Sequence, residues 1–399
     1  MGLSRVIPSR RTENIRYAVR DVVVLAQEVA RTGKEMLYLN IGDPNVYDFQ
    51  LPEVIMGPTI EAMRRNHGGY SPSSGIPEAV AAIHGDAVRR GIENIQDVFV
   101  TTGASEAIEI CLTALLNPGD NVLTPAPGYP LYTAVLAKLE AEENSYFLDE
   151  DRGWQPDVAD MASKINPRTK AIVLINPNNP TGSVCSEDTL REVIALAKAH
   201  GLVIFADEIY DRLVLDGERH ISIASLDSEV PFVTFNGLSK CYIGPGVRIG
   251  WGVASGPREL MADYIEAINR ILRSRLCANH PFQYAIRPCL EGDHGHLPPV
   301  LEKLTTRRDI TVEKLNANGI SCVAPKGAFY AFARLEGVRD DRHWASELIR
   351  QTGVVVVPGS GFGQRPQTAH FRVVFLPEPE KLHAAYDKIT AFHQAYRNP

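Results

Sequence analysis

The runs Ala171-Ile-Val-Leu-Ile175 and Leu202-Val-Ile-Phe-Ala206 are continuous apolar segments. Strands that are buried on both faces have this composition, because helices cover each side of a parallel sheet. Around these two runs, from residue 98 to residue 253, short apolar segments alternate with segments of helical spacing. The alternation predicts an α/β fold whose core is a mostly parallel sheet flanked by helices.

The predicted sheet belongs to a large domain of residues 50–294. Its seven strands are predicted at 98–102, 121–124, 143–147, 171–176, 202–206, 231–235 and 247–253. After about residue 295 the pattern changes to short strands between longer helices, which predicts a smaller α+β domain. We assign 1–49 and 295–399 to this smaller domain.

The bulk composition is that of an ordinary globular chain. Of its 399 residues 44% are hydrophobic and 22% are charged, and the formal net charge of −7 argues against a nucleic-acid surface. No apolar run reaches the roughly eighteen residues of a membrane span, and the N-terminus lacks the apolar core of a secretory signal. The six cysteines form no Cys-x-x-Cys pair. Neither a disulfide framework nor a zinc site is predicted, and a reducing cytoplasm is the expected location.

The segment Asn236-Gly-Leu-Ser-Lys-Cys-Tyr-Ile-Gly-Pro-Gly-Val-Arg-Ile-Gly250 places Lys240 and Arg248 in a glycine-rich loop between two predicted strands. A lysine held against apolar strands loses solvation, its pKa falls, and the neutral amine can form a Schiff base with an aldehyde. Pyridoxal phosphate requires such an amine, an arginine for its phosphate and an acid for its ring nitrogen. The alternative is an ordinary solvated lysine.

Asp207 follows directly after the second apolar run, in Ala206-Asp-Glu-Ile-Tyr210. A carboxylate at the end of a buried strand is costly unless a cation pairs with it. A protonated pyridine nitrogen would be such a cation, and Tyr210 is close enough in sequence to reach the same ring. A buried structural salt bridge explains the same pattern.

A candidate phosphate seat lies in Thr101-Thr-Gly-Ala-Ser-Glu106, which ends the first sheet strand and opens a helix predicted at 107–116. A small-residue turn at a helix N-terminus exposes backbone amides and the positive end of the helix dipole, and Ser105 adds a hydroxyl. An ordinary helix cap is the alternative.

Two further loops carry candidate cofactor contacts. Tyr129, in Pro125-Ala-Pro-Gly-Tyr-Pro-Leu-Tyr132, can stack on an aromatic ring, although plain packing is equally consistent. Asn179, in Asn176-Pro-Asn-Asn-Pro-Thr-Gly182, can donate to a phenolate-type oxygen, whereas a stiff turn accounts for the prolines alone.

Arg372 lies in an otherwise apolar predicted strand, Ala369-His-Phe-Arg-Val-Val-Phe-Leu376. A buried arginine binds a carboxylate with two parallel hydrogen bonds, and a substrate α-carboxylate is such an anion. We interpret His370 as local packing. His294 and His296 lack a recognisable metal motif, and no metal site is predicted.

These segments, in this order, resemble the class I and II aminotransferases, which are fold-type I pyridoxal-phosphate enzymes, over nearly the whole chain. The resemblance implies that Lys240 is the Schiff-base lysine and that Asp207 is the partner of the pyridine nitrogen. It further implies that Tyr210 and Asn179 contact the ring oxygen and that Tyr129 stacks on the ring.

The family pattern also implies a phosphate cradle formed by Ala104, Ser105 and Arg248. This chain departs from many members at Gly237, three positions before the lysine, where they carry a serine that binds phosphate. Ser239 is therefore added to the candidate phosphate ligands.

The substrates implied by the resemblance are amino acids and 2-oxo acids, with Arg372 and Gly42 clamping the α-carboxylate. Tyr70, in Gly68-Gly-Tyr-Ser-Pro72, matches the tyrosine that reaches the phosphate of the neighbouring subunit. A homodimer with shared sites follows from that match.

A narrower resemblance is to prokaryotic alanine aminotransferases. It rests on Tyr17 and Arg20, on Leu-Asn-Ile-Gly-Asp-Pro at 39–44 and on Arg-Leu-Cys-Ala-Asn at 275–279, together with the Asn-Gly-Leu-Ser-Lys segment. It implies transamination between L-alanine and 2-oxoglutarate, with Tyr17 and Arg20 near the substrate and Arg20 a candidate for the distal carboxylate. A helix-surface arginine is the alternative.

Other functions fit the same fold. An aromatic, kynurenine-type or broad-specificity aminotransferase and a carbon–sulfur lyase differ from an alanine enzyme in the pocket-lining stretches 15–20 and 273–282, which here favour small and acidic substrates. A non-catalytic regulator that senses the cofactor would carry a DNA-binding domain, and the enzyme-like sequence instead begins almost at the N-terminus.

Overall fold

The computed structural model describes residues 5–15, 18–316 and 319–397, and it describes only the backbone of residues 18–21. Two predicted substrate contacts, Tyr17 and the side chain of Arg20, therefore lie outside the described residues. The described chain forms one large sheet, two smaller sheets and the helices that cover them.

The strands, in chain order, are β1 Leu37–Tyr38, β2 Ile95–Thr101, β3 Asn121–Ala126, β4 Glu142–Asp149, β5 Gln155–Pro156, β6 Thr169–Ile175, β7 Val203–Asp207, β8 Phe232–Gly237, β9 Gly250–Ser255, β10 Ile320–Cys322, β11 Tyr330–Leu335, β12 Val354–Val355, β13 Val357–Pro358 and β14 His370–Val374.

The α-helices, in chain order, are α1 Ala18–Ala30, α2 Glu53–Arg64, α3 Pro77–Arg89, α4 Ala104–Leu115, α5 Pro130–Leu139, α6 Val158–Lys164, α7 Glu187–His200, α8 Arg258–Ser274, α9 His280–Gln283, α10 Ile286–Glu291, α11 Leu297–Asn316, α12 Asp341–Thr352 and α13 Pro379–Arg397.

The large sheet has the strand order β2-β9-β8-β7-β6-β3-β4-β5. The strands from β8 to β4 run parallel to one another, whereas β9 is antiparallel to both of its neighbours and β5 is antiparallel to β4. All seven predicted strands are present. The eighth strand, β5, is two residues long and lies at the edge of the sheet, and the sequence analysis did not predict it.

Helices cover both faces of this sheet, as the continuous apolar runs predict. Along β6, Val173 and Ile175 belong to the apolar cluster formed with α4, α5 and α8, whereas Ile172 and Leu174 belong to the cluster formed with α3 and α7. All four side chains are at most 3% exposed. The buried part of such a strand is mostly apolar, so the polar groups of the site collect in the loops that follow.

The smaller sheets lie in the C-terminal part of the chain, apart from one strand. The order β10-β11-β14-β13 forms an antiparallel sheet, against which α11 packs. The pair β1 and β12 is parallel and joins the N-terminal part of the chain to the C-terminal part. This pairing brings the residues that follow β1 into reach of the loops of the large sheet.

Two predicted boundaries are wrong. The strand predicted at 247–253 begins only at Gly250, because Arg248 has a φ of 55° and a left-handed backbone cannot continue a strand. The helix predicted at 107–116 begins at Ala104, directly after Gly103, whose φ of 78° allows the sharp entry into the helix.

Among the residues that the structure describes, no helix combines the length and the apolar character needed to cross a membrane.

Candidate active site

The candidate site lies at the edge of the large sheet where β6, β7 and β8 end. Their parallel register places Asp207, the last residue of β7, beside Ile175 of β6 and Phe235 of β8. The loops that follow these strands carry Asn179, Tyr210 and Lys240. Ligands of open α/β sheets bind at this edge, since loops from neighbouring strands converge there.

Asp207 is a buried carboxylate. It is 4% exposed, and it accepts hydrogen bonds from the Tyr132 hydroxyl at 3.3 Å and from the backbone amide of Ile209 at 3.4 Å. Burial raises the pKa of Asp207 from 3.8 to about 6, and these hydrogen bonds only partly oppose the shift. No arginine, lysine or histidine of the described residues forms a salt bridge with it. The position therefore suits a cation that comes from outside the chain.

Lys240 extends toward the segment that follows β1. Its Nζ donates a hydrogen bond of 2.9 Å to the backbone oxygen of Gly42 and lies 5.4 Å from the centroid of the Phe329 ring and 5.9 Å from that of Tyr210. No carboxylate in the described part of the chain lies within salt-bridge distance of Nζ. An amine held by one carbonyl group and two aromatic rings is available to react with a bound molecule.

Tyr210 lies beside Lys240 and is hydrogen-bonded to a second tyrosine. The hydroxyl groups of Tyr210 and Tyr330 are 3.0 Å apart, and the two side chains are 3% and 2% exposed. Burial, with Tyr330 as the next contribution, raises the pKa of Tyr210 well above its usual value. The Tyr210 hydroxyl therefore stays protonated and can donate a hydrogen bond.

Tyr330 is a site residue that the sequence analysis missed. It begins β11, and nothing in the local sequence indicates that this strand faces the end of β7. The available signal was the pair Phe329-Tyr330 after the tight turn Lys326-Gly327, which places two aromatic rings at a loop.

Arg372 is buried between two aromatic rings. Its guanidinium carbon lies 4.7 Å from the ring centroids of both Tyr330 and Phe362. Its Nη2 donates to the backbone oxygen of Asn40 at 2.6 Å, and its Nη1 donates to the side-chain oxygen of Asn179 at 3.2 Å. The two predicted residues Arg372 and Asn179 are thus in direct contact, although 193 positions separate them.

The N-terminus of α4 lies close to the end of the sheet. Ala104 and Ser105 are its first two residues, and the first amides of a helix have no partner within the helix. The backbone of Gly250 presses against this turn so closely that a Cβ atom there would collide with the amide nitrogen of Ala104. The turn is rigid and presents donors to an anion.

Arg248 adds a positive charge to this turn. Its Nη1 donates to the backbone oxygen of Pro245 at 3.0 Å, its Nη2 donates to that of Thr102 at 3.4 Å, and a Cβ atom on Gly103 would collide with the guanidinium group. A guanidinium group beside a helix N-terminus favours a phosphate.

Comparison with known proteins agrees with this geometry. Residues 34–389 match the family described as aminotransferase class I and II. The chain is 40% identical to an alanine aminotransferase of Mycobacterium tuberculosis over 405 aligned positions, which cover 98% of this chain and 93% of that protein. It is 37% identical to the glutamate-pyruvate aminotransferase AlaA of Escherichia coli, with 99% of each covered. The chain belongs to the class I and II aminotransferase family.

A solved structure extends this similarity to three dimensions. The alanine aminotransferase from Pyrococcus furiosus superposes with a TM-score of 0.94 at 39% identity, and the match covers 98% of this chain and 100% of that one. The cofactor of this aminotransferase is pyridoxal 5′-phosphate. The site fits that molecule, because it offers a buried carboxylate that forms no salt bridge with a cation of the described residues, a nearby amine and a glycine-lined helix N-terminus.

The departure of this aminotransferase at Gly237 has a steric explanation. Gly237 ends β8 and pairs with Gly250, and a Cβ atom there would lie 2.7 Å from the backbone oxygen of Ile249. A serine would force the two strands apart. Ser239, 8% exposed, remains in the loop before Lys240.

Tyr129 and Tyr132 occupy the start of α5. Tyr129 is the residue before the helix and is partly buried, and Tyr132 is 1% exposed with its hydroxyl on Asp207. The sequence analysis singled out Tyr129 and missed Tyr132. The available signal was that Tyr132 lies in the first turn of the helix that Pro130 opens, directly after Tyr129 and at the same end of the sheet.

Tyr70 does not belong to the buried part of the site within one chain. Its side chain is 82% exposed, whereas the segment around it is tightly held. The side chain of Gln283 accepts from the amide of Ile76 at 2.8 Å and donates to the Ser71 hydroxyl at 3.0 Å, and His280 is 2.8 Å from the oxygen of Gly69.

The histidines and cysteines have structural surroundings. His370 stacks on Phe332 at 4.8 Å and lies 3.1 Å from the Gln364 side chain, which is the local packing that we expected. Within the described ranges, no group of three or more histidine, cysteine, aspartate or glutamate side chains is placed to hold a metal ion. All six cysteines are free thiols.

We predict that Asp207→Asn stabilises the cofactor-free protein at neutral pH. The pKa of Asp207 is higher in the folded protein than in the unfolded chain, so its ionisation costs the folded state free energy above about pH 6. The increase of the Asp207 pKa from 3.8 to about 6 corresponds to about 3 kcal/mol. The substitution, which keeps an acceptor for Tyr132, should raise the free energy of unfolding by about 1–3 kcal/mol at about pH 7.5, with a smaller gain at about pH 5.

Urea unfolding of the cofactor-free protein at the two pH values measures this effect. Asp151→Asn, at an exposed position, is the matched control and should change little at either pH. Equal effects of Asp207→Asn at both pH values would contradict the raised pKa.

Proposed function

We propose that this aminotransferase transfers the amino group of L-alanine to 2-oxoglutarate, giving pyruvate and L-glutamate. The transamination rests on one observation, the convergence of Lys240, Asp207 and Arg372 on the same edge of the large sheet. The choice of alanine rests on the relatives named alanine or glutamate-pyruvate aminotransferase, which match the chain over nearly its whole length.

The proposed roles follow from the contacts of each side chain. When bound, pyridoxal phosphate supplies an aldehyde for the substrate amine and a ring that accepts the electron pair of the α-carbon. Asp207 pairs with the protonated ring nitrogen, since its carboxylate is buried and no cation of the described residues forms a salt bridge with it. Lys240 moves the proton of the substrate α-carbon through its Nζ, which the described residues hold with the Gly42 oxygen and two aromatic rings.

The phenolic and phosphate ends of the cofactor have separate proposed partners. Tyr210 and Asn179 donate to the ring oxygen, and Tyr129 stacks on the ring. The phosphate is bound by Ala104, Ser105, Ser239 and Arg248, at the N-terminus of α4.

Arg372 and Gly42 are the proposed clamp for the substrate α-carboxylate, with Asn179 beside them. The guanidinium group is held between Tyr330 and Phe362 and is thereby oriented before substrate arrives. A planar, oriented guanidinium binds a carboxylate with little further loss of side-chain entropy. Tyr17 and Arg20 remain candidates for the rest of the substrate.

A homodimer is the proposed assembly, with Tyr70 reaching the phosphate of the neighbouring subunit. Tyr70 is 82% exposed in the single chain although its backbone segment is fixed. On α2, Met56, Ile60 and Met63 are 36%, 46% and 54% exposed, and their spacing places them on one face. An apolar helix face of this kind is typical of a subunit interface.

We further propose the division into a large domain of 50–294 and a small domain of 1–49 and 295–399. It is supported by the large sheet, whose strands all lie between residues 95 and 255, and by the pairing of β1 with β12. Crystal structures with and without substrate would test whether each part moves as a rigid body.

A cytoplasmic location is proposed from the six free thiols, and cell fractionation tests it.

Lys240→Ala should abolish transamination while cofactor binding persists. The substitution removes the amine that moves the α-proton, and we expect the turnover rate to fall by a factor of about 10²–10⁴ or more. Asp207, Arg248 and the α4 amides still bind the ring nitrogen and the phosphate. Steady-state turnover and equilibrium dialysis of pyridoxal phosphate measure the two effects. Lys198→Ala, at an exposed lysine, is the control, and full activity of Lys240→Ala would refute the assignment.

The amino donor is tested by recording the absorption band of the bound cofactor after separate additions of L-alanine, L-glutamate, L-kynurenine and L-cysteine. We expect alanine and glutamate each to convert the cofactor to its amino form, and pyruvate or 2-oxoglutarate to reverse the change. Conversion by the aromatic donor alone, or release of sulfide from cysteine, would keep the fold and reject the alanine assignment.

Ile60→Asp should disrupt the proposed dimer. A carboxylate within an apolar interface loses its hydration without gaining a partner, which costs several kcal/mol. We expect monomers in analytical ultracentrifugation and a cofactor dissociation constant raised about tenfold by the loss of Tyr70. Leu260→Asp, at a position that is 60% exposed on α8, is the control and should leave the assembly unchanged. A monomeric wild-type protein would contradict the proposal.

A further inference from the structure

Behind the candidate site, one arginine contacts two buried carboxylates. Arg90 follows α3 directly, and its Nη2 forms an ion pair with Glu208 while its Nη1 lies 3.5 Å from the Asp211 carboxylate. The side chains of Glu208 and Asp211 are 2% and 6% exposed, and that of Arg90 is 19% exposed. Buried carboxylates with a shared cation form a tightly coupled unit.

Each of these carboxylates adjoins a residue of the site in the chain. Glu208 comes directly after Asp207, and Asp211 comes directly after Tyr210. Asp211 also accepts a hydrogen bond of 3.2 Å from the thiol of Cys241, the residue after Lys240. Arg90 thus contacts the chain neighbours of Asp207 and Tyr210 directly, and Asp211 connects it to Cys241, the chain neighbour of Lys240.

Among the residues that the structure describes, Arg90 alone forms a salt bridge with Glu208. The remaining contacts of that carboxylate are the Ser222 hydroxyl at 2.9 Å and the amide of Ile223 at 3.3 Å, which are neutral donors. Arg212 lies near Asp211, but its guanidinium group is bonded to Asp86 at 3.1 Å and to His294. Without Arg90, therefore, Glu208 would be a buried and unpaired carboxylate next to Asp207.

We propose that Arg90 is a positioning residue of this aminotransferase, which acts by neutralising Glu208 and Asp211 and thereby holds Asp207 and Lys240 in their working arrangement. The inference rests on the proposed function. Arg90 makes no direct contact with Asp207 or Lys240. We infer that its effect on cofactor binding is transmitted through Glu208 and Asp211.

The neutralisation has an electrostatic consequence for Asp207. The charge of Glu208 raises the pKa of Asp207, in addition to the larger effect of burial, and Lys240 and the Tyr132 hydrogen bond lower it. Tyr210 is a further titratable group near Asp207. The titratable side chains near Glu208 and Asp211 are those of His220, Arg212 and Cys241. If Arg90 is removed, Glu208 acts on Asp207 without compensation, and Asp207 then protonates at a higher pH.

A simple structural salt bridge predicts something different. It would lower stability and could weaken cofactor binding, but it would leave the pKa of Asp207 unchanged, so the pH at which binding is lost would be that of the wild type. The pH dependence of cofactor binding separates the two explanations.

The experiment measures the dissociation constant of pyridoxal phosphate from the cofactor-free protein between about pH 5.5 and 8.5. The variants are Arg90→Met, Arg90→Lys and the double variant Arg90→Met with Glu208→Gln. Arg89→Met is the matched control, because Arg89 is the preceding residue, is 50% exposed and contacts Asp86 instead of the site turn. Urea unfolding of each variant reports whether it is folded.

Cofactor affinity should fall below a certain pH, which we call the acidic limb of the binding profile. We expect Arg90→Met to move this limb to higher pH by about one unit and to weaken binding about tenfold at a pH near it. The double variant, which lacks the unpaired Glu208 charge, should return the limb close to its wild-type position. Arg90→Lys keeps one charge but cannot span both carboxylates, and it should shift the limb in the same direction by less. Arg89→Met should leave the profile unchanged.

A loss of affinity that is equal at all pH values, or a double variant that binds no better than Arg90→Met, would overturn the proposal. If Arg90→Met does not fold, Arg90→Lys and the double variant carry the test, and identical profiles for these two and the wild type would overturn it. A wild-type protein that fails to bind pyridoxal phosphate would instead reject the proposed function.

Discussion

The cost of burying the Asp207 carboxylate is the constraint on which the site depends. The end of β7 lies between two parallel strands and beneath helices, so water does not reach this side chain. Two hydrogen bonds from Tyr132 and Ile209 hold the group in place but do not neutralise it. In the proposed function, a pyridinium ring would remove this cost, because its positive charge would lie where the described part of the chain supplies no cation. Cofactor affinity and the stability of the turn would then be linked.

Close packing of the backbone brings the other groups to this carboxylate. Gly103 leaves space for the guanidinium group of Arg248, and Gly250 lets β9 lie against the first turn of α4. Gly42 lies against the ring of Tyr330, where a Cβ atom would collide with the hydroxyl group, and its oxygen holds Lys240. A side chain at any of these positions would push apart the loops that form the site, since nearby atoms already fill the space.

The segment after β1 connects the large sheet to the smaller ones. Its backbone oxygens at Asn40 and Gly42 accept from Arg372 and Lys240, so one short stretch contacts both the proposed carboxylate clamp and the proposed catalytic amine. Asp48 connects the segment to α11, because Nη2 of Arg307 donates to both oxygens of the Asp48 carboxylate at 2.8 Å. A displacement of the smaller sheet would therefore move Arg372 and this segment together.

The amino-acid sequence by itself determined the elements and the loops that carry most of the site. Apolar periodicity, glycine and proline placed the seven principal strands, and a lone charge after a buried strand indicated Asp207, because these signals depend only on near neighbours. The tertiary structure alone decided which distant groups meet. Tyr330 lies 120 positions from Tyr210, Gly42 lies 198 from Lys240, and Arg90 lies 118 from Glu208. These contacts follow from the order in which strands join the sheets, and that order arises from packing between remote segments, which no local pattern records.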